Sequence, residues 1–155
     1  MADVFISYPL SAGTIVERIA AALDAEGISC WYATKDIYDR DSVGEITRKI
    51  RECKVFLLIL NQDALKSRYV GSETALAFRR VINYEKMTFL PFCVDDCDWE
   101  NAENAISYFL VLVQVMNGAP PDDRHIRKLC ERVKRIVGGK ASRRPAEANR
   151  AAEKL

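Results

Sequence analysis

Five short apolar runs divide the chain, and each is almost continuous in hydrophobicity. They are VFIS at 4–7, ISCWY at 28–32, VFLLIL at 55–60, MTFLPFCV at 87–94 and YFLVLVQVM at 108–116. A strand that is covered on both faces shows continuous rather than alternating hydrophobicity, because neither of its faces meets water. The runs therefore predict five strands buried in the middle layer of a domain.

Segments with helical periodicity lie between these strands. Their apolar stripes are Ile15, Val16, Ile19, Ala22 and Leu23; Val43, Ile46 and Ile50; Ala77, Phe78, Val81 and Ile82 in a helix from about Arg68 to Tyr84; and Ile126, Leu129, Cys130, Val133 and Val137. Strands that alternate with helices form β-α-β units with right-handed crossovers. We therefore predict an α/β, flavodoxin-like three-layer fold with a five-stranded parallel sheet in the order 2-1-3-4-5.

A sheet of this kind binds ligands beyond the carboxyl ends of its strands, beside the point where the strand order reverses. The connections that follow Ser7, Tyr32, Leu60 and Val94 lie at that edge. We therefore expect the functional site to be built from these connections.

The length of 155 residues fits one domain with a substantial core, which we place at 1–137. The pair Gly138-Gly139 predicts the end of the last helix, and the remaining stretch contains a single bulky apolar residue, Leu155. We interpret 138–155 as a charged linker or tail, which is compatible with a connection to a fused regulatory domain.

The charge distribution argues against nucleic acid as a partner. The net charge is +1, and 138–155 holds five Lys or Arg and two Glu, so the body of the chain is slightly negative. Proteins that bind nucleic acids need a basic surface. No apolar run approaches the roughly 20 residues of a membrane span, and the start MADVFISYPL lacks the basic region of a signal peptide. We expect a cytoplasmic protein without membrane contact.

The cysteine content supports the same compartment. The chain contains five cysteines, at Cys30, Cys53, Cys93, Cys97 and Cys130. An odd number of cysteines, mostly embedded in apolar segments, favours buried free thiols in a reducing cytosol. Cys93 and Cys97 have C-x3-C spacing with one distant histidine, His125, and this matches no zinc pattern. We therefore expect no metal site.

Glu73 lies near the start of the predicted helix in the stretch SRYVGSETALAF at 67–78, four residues after Tyr69. The two side chains share one face of the helix. Glu73 is either a surface charge that complements the helix dipole or the carboxylate around which a site is built. Its place in the connection after the third strand favours the site.

Other chemistries of this fold fit the residues less well. Flavodoxins bind phosphate before the first helix, but here the sequence departs from their pattern. It favours a helix N-cap by Ser11 or Thr14. A flavin-binding electron carrier is therefore kept only as a third hypothesis. A phosphoacceptor receiver needs acids after the first and third strands, where this chain has Tyr8-Pro9 and Leu60-Asn61. The single histidine, His125, is predicted at the exposed start of the last helix and supports no nucleophile–base pair.

One carboxylate beside an aromatic ring suits a particular bond cleavage. Glycosidase chemistry needs a second acid near Glu73, for which Asp36 is a candidate. The bond between a ribose and a cationic nicotinamide needs no such acid, because the nicotinamide leaves as a neutral molecule. The transition state resembles an oxocarbenium ion, which a buried carboxylate stabilises.

Three motifs in chain order resemble the Toll/interleukin-1 receptor (TIR) domain in its bacterial-type, NAD-cleaving branch. They are DVFISY at 3–8, CWYATKDI at 30–37 and VFLLILNQDALKSRYVGSE at 55–73, and the resemblance extends from Asp3 to about Val137. It implies an NAD glycohydrolase that releases nicotinamide and yields ADP-ribose or a cyclic isomer, in bacterial immune or stress signalling. NAD is then the substrate, and no cofactor is implied.

The resemblance also implies roles for individual residues. Glu73 takes the position of the family's catalytic glutamate, and Tyr69 that of an aromatic residue that is often Trp. The implied pocket residues are Ser7, Tyr8, Trp31, Tyr32, Ala33, Asp36, Ile37 and Tyr69. The segment from Trp31 to Ile37 leads into the family's BB loop, through which TIR domains self-associate, so other TIR domains are the implied protein partners.

Two departures from the family pattern bear on the shape of the pocket and on the geometry between domains, but not on the fold. The BB loop has Tyr38-Asp39-Arg40-Asp41 where many members have Pro-Gly, and Pro9-Leu10 replaces the polar residues common after the first strand. The altered BB loop, together with Tyr69 where Trp is frequent, keeps a non-catalytic TIR adaptor that acts by homotypic docking as the alternative to the enzyme.

Overall fold

A computed structural model of the protein describes residues 2–32, 43–84, 87–101 and 105–142. The strands in these ranges are β1 (Val4–Ser7), β2 (Cys30–Trp31), β3 (Val55–Leu60), β4 (Thr88–Cys93) and β5 (Met116–Asn117). They form one parallel sheet of five strands in the order β2-β1-β3-β4-β5. The predicted fold class and strand order are confirmed.

Helices connect the strands on both sides of the sheet. In the described ranges they are α1 (Gly13–Ala25), α2 (Val43–Glu52), α3 (Arg68–Tyr84), α4 (Ala105–Leu110) and α5 (Asp123–Ser142). Short 3-10 turns at Leu10–Ala12 and Ala64–Lys66 precede α1 and α3. None of the helices in the described part of the chain combines the length and the apolar character that a membrane crossing needs.

β3 is the centre of the core, because all six of its residues are buried. Side chains alternate between the two faces of a strand, so β3 contributes to two separate apolar clusters. Val55, Leu57 and Ile59 pack with α1 and α5 on one face of the sheet. The three alternate residues of β3 pack with α2, α3 and α4 on the other face. This burial on both faces explains why the strand sequences are continuously hydrophobic.

The predicted helical stripes face these clusters with one exception. The buried stripe residues are Val16, Ile19, Leu23, Ile46, Ile50, Ala77, Phe78, Ile126, Leu129, Cys130 and Val133. Ile15, Ala22 and Val137 are partly buried at the border of the cluster beneath α1 and α5. Val43 is the exception and is 61% exposed, because it begins α2 before the helix meets the core. The side chains of Val81 and Ile82 lie outside the described part of the structure.

The fifth apolar run does not form one strand, contrary to the prediction. Its first residues belong to α4, which ends at Leu110, and only Met116 belongs to β5. Ile106 and Leu110 stand about one helical turn apart and are both buried, while the ring of Phe109 stacks on that of Phe78 with centroids 4.7 Å apart. A short apolar run is compatible with either a helix or a strand, and packing against α3 decides the outcome here.

The last helix does not end at Gly138-Gly139, where the sequence predicts its end. α5 continues to Ser142. Glycine lowers helix stability by about 1 kcal/mol relative to alanine but does not forbid the helical backbone. Val133 and Ile136 are buried in the core and hold the preceding turns in place. The boundary between domain and tail stays a prediction, since 143–155 lie outside the described residues.

Two predictions about the side chains at helix starts are wrong, one for the cap of α1 and one for the exposure of His125. Neither Ser11 nor Thr14 caps α1, because the N-cap position is Ala12 and receives no side-chain hydrogen bond. The hydroxyl of Ser11 instead accepts a hydrogen bond from the side-chain amide of Asn61 at 3.2 Å. His125 lies at the start of α5 as predicted, but it is buried rather than exposed.

The carboxylate of Asp122 accounts for the position of His125. It accepts a hydrogen bond from the backbone N–H of His125 at 3.0 Å, and its Oδ1 also lies 3.0 Å from Nδ1 of the imidazole. The N–H of His125 lowers the pKa of the Asp122 carboxyl, and the imidazole adds to this effect. Asp122 therefore caps α5 and fixes the histidine ring beside it.

Gly118 lies so close to Phe92 that a substitution at this glycine tests the packing next to β5. The N–H of Gly118 donates a hydrogen bond to the Cys93 carbonyl at 2.7 Å, and a β-carbon at Gly118 would overlap the buried ring of Phe92. Gly118→Ala is expected to lower the free energy of unfolding by about 1–3 kcal/mol, measured by urea denaturation. Gly44→Ala is the matched control, because a β-carbon there meets no atom within 4 Å. An equal or smaller loss for Gly118→Ala would contradict this packing.

Candidate active site

A buried polar pair joins β1 to α3 at the carboxyl edge of the sheet. The hydroxyl of Ser7, the last residue of β1, donates a hydrogen bond to Oε1 of Glu73 at 2.6 Å. Ser7 is 0% exposed and Glu73 is 4% exposed. A hydrogen bond from a hydroxyl to an ionised carboxylate is short and roughly twice as strong as a neutral one. The bond therefore fixes the carboxylate inside largely apolar surroundings.

Glu73 is not a surface charge. It is the sixth residue of α3, and the first turn of this helix contains no acid. The effect of the helix dipole falls off within the first turn, so it does not account for a glutamate at this depth. α3 begins instead after a Ser67 cap, whose hydroxyl accepts a hydrogen bond from the Val70 N–H at 3.2 Å. This start of the helix places Glu73 against Ser7.

Tyr8 is buried next to this pair. Its ring meets the ring of Tyr32 edge-on, with centroids 6.0 Å apart. Burial raises the pKa of Tyr8, and the negative charges of ionised Tyr32, of Glu73 and of Glu17 raise it further. The carboxylate of Glu73 is therefore close enough to Tyr8 to influence its titration.

A cleft of about 550 Å³ lies between the loop after β1 and the start of α3. Its lining residues are Tyr8, Pro9, Leu10, Ser11, Asp63, Lys66, Ser67, Arg68 and Tyr69. Tyr69 is 52% exposed, whereas Tyr8 is buried, so the cleft has one aromatic residue at its surface and one in its wall. Ser7 precedes Tyr8 and Glu73 follows Tyr69 by four residues, but neither is among the residues that line the cleft.

Trp31 and Tyr32 lie on opposite faces of the sheet, as alternation along a strand requires. Trp31 stacks on Phe5 with ring centroids 5.3 Å apart and packs with the cluster of α2, α3 and α4. Tyr32 packs with the cluster of α1 and α5 and contacts Tyr8. Tyr32 therefore contacts Tyr8, whereas Trp31 lies on the face of the sheet that is covered by α3, the helix that carries Glu73.

The structure places the predicted site residues in three groups. Ser7 is hydrogen-bonded to Glu73 at the sheet edge, the neighbouring Tyr8 contacts Tyr32, and Tyr69 lines the cleft together with Tyr8. Trp31 packs into the core. Ala33, Asp36, Ile37 and the BB loop fall in 33–42, outside the described residues. Their predicted roles stay predictions.

Several residues around the site escape sequence-based prediction. Asp63, Lys66 and Arg68 line the cleft. Their position after the third strand is the available signal, but polar residues are common in any exposed connection and the sequence does not separate the two cases. Thr74, next to Glu73, is fully buried, and its hydroxyl has no hydrogen-bond partner among the described residues.

A sequence profile described as the TIR domain matches residues 4–130, which is most of the chain. The chain belongs to the TIR-domain family. Among proteins with curated descriptions, none is similar enough in sequence to match this TIR domain. The profile match confirms the resemblance to the TIR domain that the three sequence motifs indicate, and the bacterial-type, NAD-cleaving branch stays a prediction.

Solved structures of other TIR domains share the fold. The TIR domain of the Toll-related receptor TRR-2 from Hydra magnipapillata has 16% identity and a TM-score of 0.65, over 86% of this chain and 99% of that one. The RPS4 and RRS1 TIR domain heterodimer gives 15% identity and a TM-score of 0.67, over 89% and 99%. The TIR domains of the activated Roq1 resistosome, which directly recognises the pathogen effector XopQ, have 19% identity and a TM-score of 0.55. The match covers 89% of this chain and 84% of that one. At these identities the likeness shows the fold alone.

The cysteines of this TIR domain are free thiols, as predicted. Cys53, Cys93, Cys97 and Cys130 are buried, and Cys30 is half-buried. Burial raises the pKa of Cys30 to about 12 and that of Cys53 to about 11. These two thiols are therefore protonated and unreactive at neutral pH.

Tyr8→Phe is expected to reduce the loss of stability at alkaline pH. The pKa of Tyr8 in the folded state lies above its unfolded value of about 10. The contribution of Tyr8 to the free energy of unfolding is therefore fully present below about pH 10. It is lost as the pH rises through the raised pKa of the folded state. Urea unfolding at about pH 8 and about pH 11 should show a steeper loss for the wild type than for Tyr8→Phe. Tyr108→Phe, at a position that is 67% exposed, should follow the wild type. The same pH dependence in all the proteins would contradict the burial of Tyr8.

Proposed function

We propose that this TIR domain is an NAD glycohydrolase, with Glu73 as its catalytic carboxylate and ADP-ribose or a cyclic isomer as its product. The buried Ser7–Glu73 pair, at the edge where this fold binds ligands, carries the proposal. Burying a carboxylate is costly unless partners compensate for the lost water. Proteins retain such groups chiefly where they serve a site. The cleft beside the pair supplies room for a substrate.

The reaction breaks the bond between the nicotinamide nitrogen and C1′ of the ribose. The bonding electron pair moves to the ring nitrogen, which becomes neutral, so departure needs no proton. Positive charge develops on the ribose, where the Glu73 carboxylate stabilises it and accepts a hydrogen bond from a ribose hydroxyl. Water then adds at C1′ and loses a proton to give ADP-ribose. Attack by an adenine nitrogen on the same carbon gives the cyclic isomer.

Ser7 acts in this proposal as a positioning residue. Its hydroxyl holds Oε1 of Glu73 at 2.6 Å and so fixes the orientation of the carboxylate. A catalytic group that is held in the productive orientation needs no reorganisation when the transition state forms. The low polarity around the pair strengthens the attraction between the carboxylate and the developing cation.

The cleft suits the remainder of a dinucleotide. Its volume of about 550 Å³ falls within the roughly 300–1,000 Å³ typical of small-molecule sites. Lys66 and Arg68 carry positive charges that suit the diphosphate, and the rings of Tyr8 and Tyr69 offer faces for a flat base. In this proposal the rest of the pocket is shaped by Trp31, Tyr32, Ala33, Asp36 and Ile37.

Self-association fits the burial of Glu73. A carboxylate in a residue that is 4% exposed contacts a substrate only if neighbouring side chains move. We propose that docking of a second TIR domain through the BB loop promotes this movement. TIR domains form the RPS4–RRS1 heterodimer and are part of the Roq1 resistosome. The setting that we propose is bacterial immune or stress signalling in the cytoplasm. A fused regulatory domain is a further partner that this proposal allows.

Glu73→Gln is expected to lower the rate of nicotinamide release by about 100–1,000-fold, because the amide keeps the shape of the side chain but not its charge. The measurement is chromatography of NAD incubated with concentrated protein, which also separates linear from cyclic product. Glu131→Gln, at an exposed acid on α5, is the control and should keep the wild-type rate. Identical traces from wild type and Glu73→Gln would remove the enzymatic proposal.

Ser7→Ala is expected to lower kcat by about 10–100-fold with little change in KM, because the carboxylate remains but loses its orientation. Ser7→Thr, which keeps the hydroxyl, should recover part of the rate. Ser72→Ala removes an exposed hydroxyl of α3 next to Glu73 and serves as the control. An unchanged kcat in folded Ser7→Ala would exclude the positioning role and leave the role of Glu73 intact.

A non-catalytic adaptor is the second candidate, and one surface favours it. Tyr108, Val111 and Leu112 at the end of α4 are 60–67% exposed, which suits docking between domains. An adaptor predicts association of the chains without NAD turnover at any protein concentration. A flavin-binding carrier predicts a yellow protein as purified, so a colourless preparation excludes it.

A further inference from the structure

Three side chains with metal-ligating atoms meet at the carboxyl end of β4. β4 ends at Cys93, and Asp95 and Cys97 follow in the next loop. The sulfurs of Cys93 and Cys97 are 3.9 Å apart. Each residue offers one ligand atom, and the three atoms all lie within 4.8 Å of one another. Both thiols are buried and Asp95 is half-buried, so solvent has limited access to the cluster.

The carboxylate of Asp95 is held in place by two backbone groups. Its Oδ1 accepts a hydrogen bond from the N–H of Cys97 at 3.0 Å, and its Oδ2 accepts one from the N–H of Gln62 at 3.1 Å. Each carboxylate oxygen keeps a lone pair for a further partner. Hydrogen bonds of this kind orient the ligands of metal sites and are part of what makes them bind tightly.

The distance between the two sulfurs matches shared coordination of one ion. Two thiolates at about 2.3 Å from a tetrahedral zinc ion are about 3.8 Å apart, whereas bonded disulfide sulfurs are about 2.05 Å apart. We propose that Cys93, Cys97 and Asp95 bind one borderline-soft divalent cation, for which Zn²⁺ is the best match, with water completing the coordination. Sequence spacing alone does not indicate this site, because the third ligand is a carboxylate from the loop between the cysteines rather than the distant His125.

Binding exchanges protons for the ion and transfers no electrons. Both thiols release their protons to solvent, and the thiolates and the carboxylate together compensate the charge of the cation. The S–H of Cys93 donates a hydrogen bond to the carbonyl of Asp95 at 3.1 Å, and this bond is lost when the thiol gives up its proton. The cation then contributes folding stability, as structural zinc ions do.

The ion would also connect two loops at the ligand edge of the sheet. The carboxylate of Asp95 accepts a hydrogen bond from the backbone N–H of Gln62. Gln62 lies in the connection that leads through Asp63 and Lys66 into α3. Asp63 and Lys66 line the cleft. A cation on Asp95 therefore stiffens the loop that forms one wall of the cleft, and this inference does not depend on NAD cleavage.

Titration of the full-length, reduced protein with Zn²⁺ against a chromophoric chelator tests the site, as does titration with Co²⁺. We expect one ion per chain, a thiolate-to-cobalt charge-transfer band, and a melting temperature that rises with Zn²⁺ concentration. Cys93→Ser and Cys97→Ser should abolish the band, and Asp95→Asn should weaken Zn²⁺ binding by about tenfold or more. Cys30→Ser, which removes a half-buried cysteine outside the cluster, is the matched control and should bind as the wild type does.

Three results would overturn the site. One is uptake of much less than one ion per chain by the wild type, and another is a charge-transfer band that persists in the Cys93→Ser/Cys97→Ser double variant. The third is a freshly isolated protein with a Cys93–Cys97 disulfide that takes up no Zn²⁺ after reduction. Circular dichroism checks the fold of each variant. If the serine variants unfold, the cobalt spectrum of the wild type and the affinity of Asp95→Asn still decide the question.

Discussion

The burial of β3 on both faces is the constraint on which the rest of the structure depends. Helices cover each face, so every side chain of this strand must be apolar or must bring its own partner. Polar chemistry is displaced to the places where strands end. Ser7 ends β1 and Cys93 ends β4, and each begins one of the two candidate sites. Both sites are therefore consequences of the same apolar middle layer.

The Ser7–Glu73 pair shows how a polar group is kept at the border of that layer. A buried polar group without a partner costs about 1–3 kcal/mol, and a charged one costs more. Ser7 offsets part of the cost for Glu73 through one short hydrogen bond. Thr74, the next residue of α3, has a buried hydroxyl without a hydrogen-bond partner among the described residues. The buried polar groups of α3 therefore lower the free energy of unfolding at the place where we propose that NAD is cleaved.

Sequence patterns predict most of the fold, because a buried strand leaves a strong local signal. VFIS and VFLLIL coincide with β1 and β3 residue for residue. Glu73 could be found because topology and a family motif point to the same position. The prediction of a strand at 108–116 is wrong for most of the run, because the choice between helix and strand depends on packing between Phe109 and Phe78.

Other features depend on distances that no local pattern contains. The basic residues of the cleft, Lys66 and Arg68, resemble any other charged residues of a surface loop until the fold places them opposite Tyr8. The cluster of Cys93, Asp95 and Cys97 depends on how the chain turns after β4 and on a hydrogen bond from Gln62 in another loop. Spacing along the chain carries neither kind of information.

The shortness of the outer strands limits how copies of this domain can meet. β2 and β5 form the two edges of the sheet, and each has two residues. A strand from another chain would find few backbone groups to pair with at these edges. Association through the described surfaces must therefore use side chains on helices and loops. Such contacts change by substitution while the sheet stays the same, so the choice of partner can evolve independently of the fold.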